Sequence, residues 1–65
     1  MTFKQFDEVV LKERTEISPL FYINSGIKGV VMDKTVPEYY LVRFEGYGAY
    51  WVDGSKLIFS STEVY

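Results

Sequence analysis

The 65-residue chain has no histidine and no cysteine. The first absence removes imidazole general bases, the second removes thiol nucleophiles and disulfides, and together they remove every Cys/His zinc or iron–sulfur site. Small domains commonly lean on such staples, because below about 70–80 residues a core rarely supplies more than about 3–5 kcal/mol. No apolar run approaches the roughly 20 residues that span a bilayer, and no signal-peptide pattern follows Met1. The expected location is therefore the cytoplasm, with no membrane partner. Charge of one sign is also missing. The net charge is only -2, and basic residues stand beside acidic ones, as in Lys12-Glu13-Arg14 and Arg43-Phe44-Glu45. A phosphate-backbone binder needs a basic stripe, so this balance disfavours nucleic acid. Phosphate-cradling loops, Gly-x-Ser-x-Gly elbows and calcium loops are absent too, and no cofactor or metal is expected. Asp7-Glu8 is the only adjacent carboxylate pair. On a strand the two side chains point to opposite faces, so they cannot flank a scissile bond. The chain does not read as an enzyme.

What is present in quantity is aromatic area: six tyrosines, five phenylalanines and one tryptophan, 18% of the sequence. Each ring can bury about 150–250 Å², which is one way for a short chain to stabilise itself without staples. The apolar residues fall in short runs separated by turn residues, the rhythm of a small all-β domain filling residues 1–65. Five strands are expected, over 6–12, 27–34, 39–45, 49–52 and 56–59. Between the first two lies a long stretch, 13–25, in which Ser18-Pro19 and Asn24-Ser25-Gly26 predict an extended loop. Its apolar middle, Leu20-Phe21-Tyr22-Ile23, is expected to fold over one end of the sheet structure. Gly29 predicts a bulge or a close backbone approach. Gly26-Ile27-Lys28-Gly29 has the spacing of an RNA-clamping Gly-x-x-Gly loop but runs on into Val30-Val31, so turn plus bulge is the reading. Thr35 to Glu38 is a connection, Gly46-Tyr47-Gly48 a tight hairpin, and Asp53-Gly54-Ser55 a turn of 3₁₀ type before the last strand. Residues 60–65 form a polar tail beyond a core spanning 6–59.

Alternation along the strands sorts the aromatics. Tyr40, Phe44, Tyr50, Phe59 and Phe6 are assigned to the core, with Val42 and Val52 beside them. Tyr39, Leu41, Arg43, Ala49 and Trp51 fall on the opposite face, and Tyr47 and Tyr22 can join them from loops. Trp, Tyr and Arg are the types enriched where interfaces gain most of their binding energy. Tyr39, Leu41, Arg43, Tyr47, Trp51 and Tyr22 are therefore the candidate protein-interface residues. The competing reading is that the 13–25 loop and the tail cover this face within one chain.

Asp7-Glu8-Val9-Val10-Leu11, Gly26-Ile27-Lys28-Gly29-Val30-Val31, Tyr40-Leu41-Val42-Arg43-Phe44 and Trp51-Val52-Asp53-Gly54-Ser55-Lys56-Leu57 follow one another in a characteristic order. Together they resemble the small SH3-like barrels of bacteria and phages, including KOW-type domains, over residues 7–57. The resemblance implies a five-stranded SH3-like barrel with a long first loop and a short 3₁₀ turn before its last strand. It implies binding of protein or nucleic acid and carries over no catalytic residue. A domain-sized chain opening on Met1 is expected to be a stand-alone phage or mobile-element accessory or inhibitor protein that occupies a partner surface. A KOW-like nucleic-acid module and a homo-oligomeric unit are the alternatives.

Overall fold

Tyr40, Val42 and Phe44 are buried while Tyr39 and Arg43 are exposed and Leu41 is half-buried, the period-2 signature of a strand with one covered face. This strand organises the rest. The computed structural model describes residues 2–36 and 38–60, and in chain order it contains β1 (Glu8–Leu11), β2 (Thr15–Ser18), β3 (Phe21–Ile23), β4 (Lys28–Thr35), β5 (Tyr39–Phe44) and β6 (Gly48–Asp53). A 3₁₀ turn (Gly54–Lys56) and β7 (Leu57–Phe59) complete it. The architecture is all-β. One antiparallel sheet runs β6-β5-β4-β1-β7, and β2 and β3 form a separate two-stranded sheet. The five expected strands are those of the main sheet, each shifted at its ends by one or two residues. Part of the expected 35–38 connection, at Pro37, and residues 61–65 of the expected tail lie outside the described residues.

Two expectations about the elements require correction. The stretch 13–25 is not an extended loop but a β-hairpin, with Thr15 opposite Ile23 and Glu16 opposite Tyr22. Pro19 and Leu20 occupy its turn, where a missing backbone N–H costs nothing. The hairpin base is tied to β1: the Gly26 N–H donates to the Leu11 carbonyl at 2.7 Å, and the Leu11 N–H to the Ile27 carbonyl at 3.0 Å. Secondly, the main sheet is not closed by hydrogen bonding. Among the described residues β6 and β7 are its two edges, and no strand pair joins them.

The hairpin instead caps the inner face of the main sheet. Ile23 is fully buried, and Ile17 and Phe21 pack against a cluster containing Val9, Leu11, Val31, Tyr40, Val42, Phe44, Val52 and Leu57. Tyr50 and Phe59 lie at its margin, partly buried. Phe6 does not belong to this core: it is 67% exposed, and Phe3 is buried in its place. The Phe3 ring meets Tyr40 edge-on at 5.3 Å and Phe59 at 4.7 Å, while its N–H donates to the Tyr40 hydroxyl at 3.2 Å. What separates the two phenylalanines is a turn. The Asp7 N–H bonds back to the Lys4 carbonyl at 3.0 Å, and Phe6 sits at the third position of that turn with φ +74°. The chain therefore reverses between Phe3 and β1, and strand alternation cannot be extended back through residue 6.

Gly29 resolves as a close approach rather than a bulge. A Cβ there would lie 2.6 Å from Val42 Cγ1 and 2.9 Å from the Arg43 carbonyl oxygen, closer than atoms can pack. The bulge lies further along β4, where the register against β5 shifts between Val31 and Asp33. The hairpin between β5 and β6 needs glycine for another reason. Gly46 has φ +84°, and the Tyr47 N–H closes the turn on the Phe44 carbonyl at 3.0 Å.

Candidate functional site

Pairing between β5 and β6 places Tyr39 opposite Asp53, Leu41 opposite Trp51 and Arg43 opposite Ala49. Residues directly opposite in an antiparallel pair share a face, so all six side chains stand on the side of the sheet away from the core. On the other side of β5, β4 adds Thr35 opposite Tyr39, Asp33 opposite Leu41 and Val30 opposite Arg43. Four of the six candidates, Tyr39, Leu41, Arg43 and Trp51, are thus brought together. Tyr39 is 42% exposed and Trp51 48%, so each ring is half available to a partner. Of the two segments expected as alternative cover, 13–25 packs on the inner face, and residues 61–65 lie outside the described residues.

The remaining two candidates stand elsewhere. Tyr47, in the β5–β6 turn, has its ring 6.2 Å from Phe21, which meets the inner-face Tyr50 at 5.5 Å. Its neighbours are therefore the hairpin and the inner face rather than Trp51. Tyr22 lies on β3, with the Arg14 guanidinium 3.7 Å above its ring in a cation–π contact. Neither joins the Leu41–Trp51 pair.

The strand sorting did not find Phe6. Its N–H donates to the Val31 carbonyl, at 2.6 Å, which sets it alongside β4 next to Met32. A phenylalanine that is both exposed and at positive φ is unfavourable twice, and residues held this way concentrate at functional positions. The signal available in the sequence was its neighbourhood: Lys4-Gln5-Phe6-Asp7 has turn-like polarity around one ring.

Charge on this side of the sheet is mixed. A groove of about 650 Å³ beside the β5–β6 turn is lined by Lys28 and Arg43 together with Glu8 and Glu45, with Val30 and Tyr47 among its apolar walls. Two cations and two anions give it no net preference for phosphate. Among the described residues no group of three or more carboxylates is arranged to hold a metal ion. One carboxyl has a perturbed proton affinity. The Ser55 backbone N–H donates to Asp53 at 2.9 Å, and this bond first, then the Ser55 hydroxyl, holds the Asp53 pKa below its ordinary 3.8, with Lys56 adding a smaller pull. Asp53 is the cap of the 3₁₀ turn, so its bonding is accounted for by structure. Compared with protein-family models, curated proteins and solved structures, the chain gives no significant match to any.

Proposed function

We propose that this chain is a non-catalytic binding module of SH3-like type, which acts by occupying the surface of a protein partner. The fold part of this reading is supported by element order: a strand, a hairpin-bearing excursion, a three-strand meander, a 3₁₀ turn and a short last strand. The observation that carries the functional part is the cross-strand pair Leu41–Trp51 with Tyr39 and Arg43 beside it, half-exposed on the face away from the core. Tyr39 and Trp51 present large rings with few rotatable bonds and so lose little conformational freedom on docking, and the Arg43 guanidinium adds directed hydrogen-bond donors. Balanced charge on the same face favours protein over nucleic acid. An accessory or inhibitor role follows from such a module, since it has binding groups and no reaction groups.

The test is affinity capture with three forms of the protein. The unmodified chain and Tyr22→Ala should retain the same partner, because Tyr22 belongs to the other sheet. Tyr39→Ala should reduce capture at least tenfold with an unchanged circular dichroism spectrum, equivalent to about 1.4 kcal/mol. Equal capture by all three forms would refute the assignment of the face, and loss on titration with salt in favour of single-stranded nucleic acid would refute the choice of partner.

A further inference from the structure

The two edges of the main sheet are unequal. β7 offers three residues, whereas β6 offers six, Gly48-Ala49-Tyr50-Trp51-Val52-Asp53. Among the described residues no strand pairs with the outer side of β6. Folded proteins normally blunt such an edge with lysine, proline, a bulge or a covering segment. Among the described residues β6 shows none of these: its pairing with β5 runs without a register shift from Gly48 to Asp53, and its first five residues carry no charge. Gly48 and Ala49 are exposed, and residues with so little side chain expose mainly backbone. What can satisfy a row of free N–H and C=O groups is another extended strand.

We propose that β6 pairs antiparallel with β6 of a second copy of this chain, joining two sheets across a two-fold axis at Trp51. This goes beyond the partner-binding face, because it uses the strand's hydrogen-bonding edge and sets the two copies' outer faces side by side instead of covering them. Antiparallel partners share a face, so a two-fold axis at Trp51 sets Trp51 against its own copy on the outer face and Tyr50 against Val52 on the inner face. Aromatic–aromatic and aromatic–β-branched pairs of this kind are favourable across strands. Charge fits the same register. Asp53 falls opposite the uncharged Ala49, and the two Asp53 carboxylates are separated by four residues, roughly 13 Å along the strands. That exceeds the screening length of about 8 Å at physiological salt. A peptide strand from another protein would satisfy the backbone equally, but identical strands meet here without placing like charges opposite each other.

The register makes the test specific. Sedimentation velocity on the full chain, from micromolar to millimolar, should show a monomer–dimer equilibrium. Ala49→Asp places a carboxylate opposite the partner's Asp53 twice by symmetry, and should raise the dimer dissociation constant at least tenfold. Ala49→Lys places an ammonium there instead and should leave the dimer as tight or tighter, the difference shrinking in 1 M salt. Circular dichroism on both variants confirms that each is folded; Leu20→Asp, at the exposed hairpin turn, is the control that should change nothing. A monomer at all concentrations, or equal weakening by Asp and Lys at position 49, would overturn the proposal. Failure here is separable from failure of the binding face: Tyr39→Ala, which lowers capture of the partner, should still dimerise.

Discussion

Phe6 occupies a backbone conformation that suits glycine, with φ +74° and most of its ring in water. A side chain in this region costs about 1–2 kcal/mol. Phe6→Gly should remove that cost, offset by about 0.5–1 kcal/mol from the greater freedom of glycine in the unfolded chain. The expected result is a gain of up to about 1.5 kcal/mol, or several degrees in Tm for a domain this small. Phe6→Ala keeps the strain and should not raise Tm; an equal rise in both variants would contradict the argument. The sequence could not announce this residue. Asp7 and Glu8 separate Phe6 from Val9-Val10-Leu11, and the turn closed by Lys4 and Asp7 takes it out of the strand altogether. Phe3 was unreadable for the complementary reason: a single apolar residue between Thr2 and Lys4 has no period to reveal which way it points. Tyr39, Leu41, Arg43 and Trp51, by contrast, were legible because all four sit inside strands, where parity alone assigns a face. Tyr47 and Tyr22 belong to a turn and to the hairpin, across which parity does not carry.

Among the elements, β5 and β6 were the most legible, since apolar alternation and the Gly46-Tyr47-Gly48 turn agree with each other. The hairpin β2–β3 was hidden by its own turn: Pro19 reads as a strand breaker when seen from either side, yet it breaks the chain only where reversal is required. Gly29 and Met32 show a similar exchange. Glycine attracted the bulge assignment, but the shift in register falls beside Met32, and glycine was required for contact with Val42 and Arg43. The 3₁₀ turn carries its own prediction. The folded-state pKa of Asp53 lies below its ordinary 3.8 because the charged carboxylate accepts from Ser55. Its contribution to stability is therefore complete above the unfolded value and disappears as pH falls through the lower folded one. Asp53→Asn should be less stable than the parent at pH 7, and the two melting temperatures should converge as the pH falls below the lowered folded-state value. A constant difference from pH 7 to pH 2 would show that the capping bond, rather than its charge, accounts for the effect.

For the whole molecule, thickness decides what is covered. Its extents are 30 × 30 × 18 Å, and two packed layers of β-structure stand about 10 Å apart. Among the described residues the hairpin supplies the second layer, on the inner face, and the short dimension matches two layers. Stability depends on few groups in such a slab. Phe3 is fully buried and joins the N-terminal segment to both Tyr40 and Phe59. Truncating a buried phenylalanine to alanine costs about 3–5 kcal/mol, the same size as the whole margin of a core this small. Phe3→Ala should consequently be largely unfolded at 25 °C by circular dichroism, and a cooperative melt within a few degrees of the parent would refute its place in the core.

The inequality of the two sheet edges also sets how far assembly proceeds. In the language of polymer chemistry, a unit with two equivalent reactive ends propagates and a unit with one only terminates. Among the described residues β6 offers six residues and β7 three, so on the pairing proposed above joining through β6 would use the longer edge of the main sheet on each copy, and growth would stop at two.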